Sequence, residues 1–307
     1  VKVRLGPDGI HLFDRRTGTN VLVDEVTLPR AAWSAAPRQV SIALTNACDL
    51  ECPFCYAPKH PAGLALEEVC AWVEQLDAAG CLGVGFGGGE PTLYRRLPVL
   101  CHHINRHTDL AVTLTTHAHR WTPDLVDELD GAVHFVRVSV DGTGATYEDI
   151  RGRSYNELRD KLALIAATFS TGLNCVVNDA TIGDLDTVAD LAGSSGAVEL
   201  LLLPQRAARG VPGVARSVAI RMERWVDDYV AAGGPLRITV AAGGSGELPI
   251  GEPLPLEVGL RSYAHIDATG TVRPTSYSQN GVKIGEGGVM PALAGLAQSP
   301  QPEEREN

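Results

Sequence analysis

From residue 38 the sequence alternates short apolar runs with stretches of helical periodicity, and no other feature restricts its fold as much. Strand-sized runs separated by helices call for crossover connections, and hence a parallel sheet with helices packed on it. Val40–Leu44, Leu82–Phe86, Leu110–Thr115, Val133–Val140, Leu173–Val177 and Val198–Leu203 read as six strands. Between them lies Leu66–Ala79, a helix with Leu66, Val69, Val73 and Leu76 on one face and Gly80 as its stop. Leu97–His103, Pro123–Leu129, Tyr155–Phe169 and Leu185–Leu191 read as further helices, followed by Met222–Ala232. Leu236–Val240 is one more strand or a link. Six strands are too few to close an eight-stranded barrel. The expected fold is therefore α/β, a partial (β/α)6 TIM-like barrel spanning 36–240 and open on one side, with its chemistry in the loops that follow strands.

Two segments stand outside this repeat. Residues 1–35 read as a β-hairpin extension (Val3–Leu5, Ile10–Phe13, Val21–Val23). Residues 241–290 begin with a Gly-Gly-Ser-Gly linker and continue into a small β unit around Ala264–Ile266 and Thr271–Pro274, a small C-terminal cap. Residues 291–307, polar from Gln298 onward, read as a disordered tail. The net charge of −11 argues against a surface that tracks nucleic-acid phosphates, and no apolar run approaches the roughly 20 residues of a membrane span. The cysteines number seven, and three crowd into eight residues, which favours a reducing cytoplasm over a disulfide framework.

Those three follow the first strand in Thr45-Asn46-Ala47-Cys48-Asp49-Leu50-Glu51-Cys52-Pro53-Phe54-Cys55-Tyr56, with spacing C-x3-C-x2-C. Three ligands is an informative count. Structural zinc is almost always four-coordinate, and iron–sulfur clusters usually take four cysteines, so a triad leaves one metal position for something else. A Cys3His zinc site completed by His60 is the alternative at this point.

The loop resembles the radical S-adenosylmethionine (SAM) superfamily, whose hallmark is this spacing and a following aromatic after the first strand of a partial barrel. The resemblance implies a [4Fe–4S] cluster held by Cys48, Cys52 and Cys55, with SAM chelating the remaining iron and Tyr56 near the cluster and adenine. Reductive cleavage of SAM would then give a 5′-deoxyadenosyl radical.

After the second strand comes Gly87-Gly88-Gly89-Glu90-Pro91-Thr92. Glycines let a backbone approach a ligand closely, and the family places a Gly-Gly-Glu here. Gly88, Gly89 and Glu90 would accordingly receive the SAM ammonium. The third strand ends in Leu114-Thr115-Thr116-His117, departing from the Thr-Asn-Gly of many relatives. His117 and His119 are candidate proton donors or substrate partners at the mouth of the site.

The fourth strand ends in Val138-Ser139-Val140-Asp141-Gly142 and leads to Arg151-Gly152, which resembles the SPASM/Twitch branch. Ser139 would hydrogen-bond SAM and Arg151 would pair with its carboxylate, a role suited to a planar, permanently charged fork. Asp141 is either a further ligand or an Asx-turn with Gly142. Asn178, after the fifth strand, is an adenosine-side or substrate-side candidate, with strand-end capping as the alternative.

Cys70, Cys101, Cys81 and Cys175 read as core residues. Beyond Cys175 there is no cysteine, and Thr275 stands where a SPASM domain would carry one, so an auxiliary cluster is not expected. The resemblance thus implies a single-cluster enzyme that abstracts hydrogen from a peptide or from a carbohydrate or nucleoside intermediate. An external flavodoxin or ferredoxin would supply the electron, and epimerisation, rearrangement or elimination is favoured over net oxidation. A non-catalytic zinc- or cluster-binding interaction protein on a degenerate barrel is the alternative.

Overall fold

The computed structural model describes residues 1–241 and 254–299. Ten strands form one sheet. Its central run comprises β4 (Gln39–Thr45), β5 (Gly83–Gly88), β6 (Ala111–Thr116), β7 (Phe135–Ser139), β8 (Thr171–Val177), β9 (Glu199–Pro204) and β10 (Arg237–Val240), side by side and parallel. The helices α1 (Leu66–Ala78), α2 (Leu97–His107), α3 (Pro123–Leu129), α4 (Gly144–Arg151), α5 (Tyr155–Ala166), α6 (Leu185–Ser194) and α7 (Arg216–Ala231) connect them. The architecture is the partial α/β barrel that the alternation predicts, with Arg237–Val240 resolved as a strand rather than a link.

Each barrel strand has two chemically different faces. Val40, Ile42, Val84, Phe86, Val112, Leu114, Val136 and Val138 are fully buried among the core hydrophobics. The alternate positions, Ser41, Gly85, Thr113, Arg137 and Ser139, border an interior cavity instead. Strand periodicity therefore sorts apolar residues from polar ones and glycine. Most barrels of this type fill the interior with branched side chains; here β5, Gly-Val-Gly-Phe-Gly-Gly, contributes none.

The C-terminal segment joins this wall. β11 (Tyr263–Ile266) pairs in parallel with β4, and β12 (Thr271–Arg273) and β13 (Val282–Lys283) follow antiparallel. Sheet order is thus β10-β9-β8-β7-β6-β5-β4-β11-β12-β13, and the two end strands do not pair among the described residues. The expected tail at 291–307 is corrected for its first part, because Val289–Gln298 forms a helix, α8. Val289, Ala292, Leu293 and Leu296 bury its apolar stripe in the common core, which stabilises a helix despite the internal Pro291 and Gly295. Residues 300–307 and the Gly243–Gly246 linker lie outside the described residues.

The N-terminal segment is a three-stranded antiparallel sheet, β1 (Lys2–Gly6), β2 (Gly9–Phe13) and β3 (Asn20–Val23), one strand more than a simple hairpin. Arg4 fastens it to the barrel. Its buried guanidinium donates to the carbonyls of Ala36, Gly80 and Arg261 and, through Nε at 2.7 Å, to Glu257. No described helix is long and apolar enough to cross a membrane.

Candidate functional site

Loops after β4, β5, β6, β7 and β9 converge on a cavity of about 420 Å³. The cysteine loop forms part of its wall, and a second, open hollow of about 980 Å³ lies against the same loop. Cys48, Cys52 and Cys55 border both spaces and are half-buried. The cavity depends on β5. A Cβ built on Gly87 meets nothing within 4 Å, so a side chain there would stand in open space. Gly88 (φ +113°) and Gly89 are required for close approach: a Cβ would come within 2.5 Å of Thr45 O and 2.1 Å of Ala47 O respectively. These contacts seat the glycine loop against the cysteine loop, and Gly89 N–H donates to Thr45 O at 2.7 Å.

The cysteines suit a multi-metal cluster better than one small ion. Tetrahedral zinc, with Zn–S about 2.3 Å, would bring its sulfurs to about 3.8 Å apart. The described ligand atoms that fall within 4.8 Å of one another belong to Cys48, Asp49 and His117, not to the three thiols, so the thiol trio is spread wider than one ion would hold it. His60 is exposed and outside that grouping. Burial pushes the Cys48 and Cys52 thiols up, and neighbouring negative charge, from Glu90 and from Asp141 respectively, adds to it. A bound cationic centre is what would favour their thiolates.

Arg151 borders the cavity beside Cys52. Its Nη1 donates to Cys52 Sγ at 3.4 Å, Nη2 pairs with Asp141, and Nε is buried without a partner among the described residues. Burial alone would lower its pKa, but the Asp141 carboxylate raises it above the usual range, so the charge is permanent. An orphaned buried guanidinium N–H is a reasonable mark of a missing acceptor. Ser139 and Tyr56 also line the cavity, and Tyr56 packs against Tyr277 with ring centroids 5.1 Å apart.

Three expected site residues do not reach this space. Asp141 is buried behind Arg151, and its other oxygen accepts the Val176 N–H at 2.7 Å, which makes it a brace across β8 rather than an Asx-turn or ligand. Asn178 folds onto its own loop: Oδ1 accepts from Ala180 and Thr181, and Nδ2 donates to Gln205 at 2.9 Å. Its role is the strand-end cap, which orients the cavity-lining Gln205. His119 turns away to Tyr147, 2.7 Å from Nε2 to the hydroxyl, and burial lowers its pKa. Ala118 between the two histidines has φ +71°, a left-handed turn that sends the side chains of His117 and His119 to different partners.

His117 does border the cavity, but as part of a clamp. Its Nδ1 accepts the His119 N–H at 3.1 Å, which leaves Nε2–H to donate to Asp49 at 2.9 Å. Glu90, 1% exposed, accepts from Thr92, from Thr116 Oγ1 at 2.7 Å and from His117 N–H at 3.0 Å. Its carboxylate is therefore engaged by the protein itself and connects the glycine loop, through His117, to Asp49 in the cysteine loop. Sequence reasoning missed the cavity residues inside the strands, Ser41, Arg137 and Asn174, and those from β11, Tyr263 and His265. Alternation of polar with apolar residues along each strand was the available signal.

Comparison with known proteins follows the same lines. Residues 42–192 match the Radical SAM superfamily model. The PqqA peptide cyclase of Xanthomonas euvesicatoria pv. vesicatoria is 33% identical over 147 residues, covering 46% of this chain and 39% of that protein. The sporulation killing factor maturation protein SkfB of Bacillus subtilis is 26% identical over 175 residues, covering 53% and 42%. The matches thus span about two-fifths of the length of these curated relatives. Among solved structures, Streptococcus suis SuiB bound to its precursor peptide SuiA superposes with a TM-score of 0.78 over 98% of this chain and 90% of that one, a likeness of fold at 14% identity. Residues 42–192, which carry the cysteine loop, the glycine strand and Arg151, are thus a radical SAM superfamily region, and members of that superfamily use a [4Fe–4S] cluster and SAM.

Proposed function

We propose that this protein removes a hydrogen atom from a residue of a peptide substrate held in the barrel cavity. The observation that carries this reading is that Cys48, Cys52, Cys55, the glycine loop and Arg151, which donates to Cys52, border one cavity. The three cysteines would hold the cluster, and the Gly87–Gly89 backbone, Ser139 and Arg151 would hold SAM. When bound, these groups supply an electron and a sulfonium whose cleavage yields a 5′-deoxyadenosyl radical. The electron would come from an external flavodoxin or ferredoxin. Arg151 orients a carboxylate by its fixed charge, while Glu90 and His117 keep the glycine and cysteine loops in register. Tyr56 and Tyr277 exclude water from one side, which matters because a carbon radical attacks almost any C–H it meets.

The peptide reading is supported by the names of the relatives, which speak of a peptide cyclase, a killing-factor maturation protein and a precursor-peptide complex. A redox-neutral rearrangement, in which 5′-deoxyadenosine returns the hydrogen atom, is supported over epimerisation by the remaining cysteines, since inversion needs a second hydrogen-atom donor on the opposite face. Cys81, Cys101 and Cys175 are fully buried in separate places, Cys70 is half-buried on α1, and none of the four lines the cavity. A second reading, a mononuclear metal protein, is favoured only by the Cys48–Asp49–His117 grouping. Metal analysis of anaerobically reconstituted protein separates the two: about four iron with sulfide and a dithionite-bleachable band supports the enzyme, whereas one zinc supports the other reading. Release of 5′-deoxyadenosine from SAM should then vanish in a Cys48→Ala, Cys52→Ala, Cys55→Ala variant.

A further inference from the structure

Side chains from β4 and β11 add a polar cluster to the cavity wall. β4 and β11 run in parallel register with His265 opposite Ser41. Ser41 Oγ lies 2.7 Å from His265 Nδ1 and also hydrogen-bonds the Tyr263 hydroxyl. All three side chains border the cavity. His265 is 4% exposed, and its Nε2 has no hydrogen-bond partner among the described residues, yet it is not among the sealed unpartnered atoms. Nε2 therefore keeps access to the cavity. On the other side of Ser41 the register continues to Gly85 and Thr113, and the Thr113 hydroxyl and the Gln39 amide close over Gly85, 3.0 Å and 3.7 Å from where its Cβ would stand.

Arg137 is paired with Glu199 and also donates to Asn174. Burial holds the His265 ring neutral, its pKa pushed down to about 4. The hydroxyl of Ser41 has one proton and two neighbours, so the chain has two arrangements. If Tyr263 donates to Ser41 and Ser41 to Nδ1, Nε2–H is a donor toward the cavity. If Nδ1–H donates to Ser41 and Ser41 to Tyr263, Nε2 is an acceptor and the tyrosine hydroxyl turns outward. Either arrangement suits a group that both donates and accepts. An apolar group would leave Nε2 unpaired, and a cationic one would find no free carboxylate among the described lining residues, where Glu90 is already engaged.

We propose that Ser41, Tyr263 and His265 form a substrate-binding site that takes a side-chain hydroxyl or amide of the peptide, with His265 Nε2 as its direct partner. The inference rests on the reading that the cavity receives a peptide residue, and it narrows that residue to a hydroxyl- or amide-bearing type.

The test uses reconstituted holoenzyme with SAM and dithionite, reading 5′-deoxyadenosine in the presence of capped amino acids. The probes are the N-acetyl, N-methylamide derivatives of threonine, glutamine and tyrosine, against those of valine, leucine and lysine. The hydroxyl and amide probes should stimulate release at least about tenfold more than the others, the scale set by one unpaired buried group. His265→Asn, whose amide can replace Nδ1 toward Ser41 but does not reach the cavity, should lose that preference. His265→Gln, whose amide sits where Nε2 does, should recover part of it. Equal stimulation by all probes, stimulation by none, or a preference that survives in His265→Asn overturns the inference. If the wild type releases no 5′-deoxyadenosine either with or without any probe, the enzymatic reading fails and takes this one with it.

Discussion

Asp49 lies between the first two cysteines and ties their loop to the rest of the site. It accepts from His117 Nε2 at 2.9 Å and from Arg153 at 3.3 Å, with Arg120 at 3.6 Å. Burial would raise its pKa, but His117 and Arg120 hold the carboxylate below its ordinary value. Asp49→Ala should therefore lower iron retention several-fold in a timed chelator challenge, with little change in melting temperature, since the loop is not core. Arg151→Lys keeps the charge but loses the fork that serves Asp141 and Cys52 together, and SAM affinity measured by calorimetry should fall about tenfold or more. At this scale the sequence disclosed the triad, the glycines and Arg151, because their spacing and position after strands are written along the chain. It left open whether Asp141 and Asn178 serve a ligand or bond to their own surroundings. Proximity to a strand end names a neighbourhood, and hydrogen-bond partners from β8 and β9 decide where the side chain goes.

Among the elements, β5 has the largest effect on the site. Its outward Val84 and Phe86 are fully buried, while inward Gly87 faces open space and Gly85 lets Thr113 pack close. Gly87→Val should fold with a melting temperature close to wild type, since its Cβ meets nothing, yet it should reduce SAM or substrate binding by occupying the cavity. Phe86→Ala, a cavity in the packed face, should instead cost about 3–5 kcal/mol in denaturant unfolding without blocking the site. The long helices and central strands were legible from periodicity. α4 was not, because Tyr147 is its one fully buried residue and no stripe marks it. α8 was hidden by its own Pro291 and Gly295, and only packing against the core makes it a helix. β11 was legible as a strand, but nothing local to it shows that it pairs with β4.

For the whole molecule, the decisive link joins residues 253 apart. Arg4 and Arg38 both pair with buried Glu257, joining the N-terminal sheet, the barrel and the C-terminal segment. Removing one partner of a buried pair leaves a charge uncompensated, so Glu257→Ala should lose about 3–5 kcal/mol of stability. Burial would raise the Glu257 pKa, yet the arginines depress it, so its contribution is present above the unfolded carboxylate value and is lost as pH falls through the folded one. His134 and His265 act in the same direction: burial takes both from 6.5 to about 4, so the unfolded chain binds protons first and stability declines as pH drops from about 6.5 toward 4. Melting temperature should therefore fall steadily over that range, with a flatter upper part in His265→Gln. Finally, β10 and β13 end the sheet without pairing among the described residues. A closed ring admits a polymer only by end-first threading, whereas a gapped wall allows an interior residue of a long chain to be presented sideways, with the flanking stretches trailing outside on either hand.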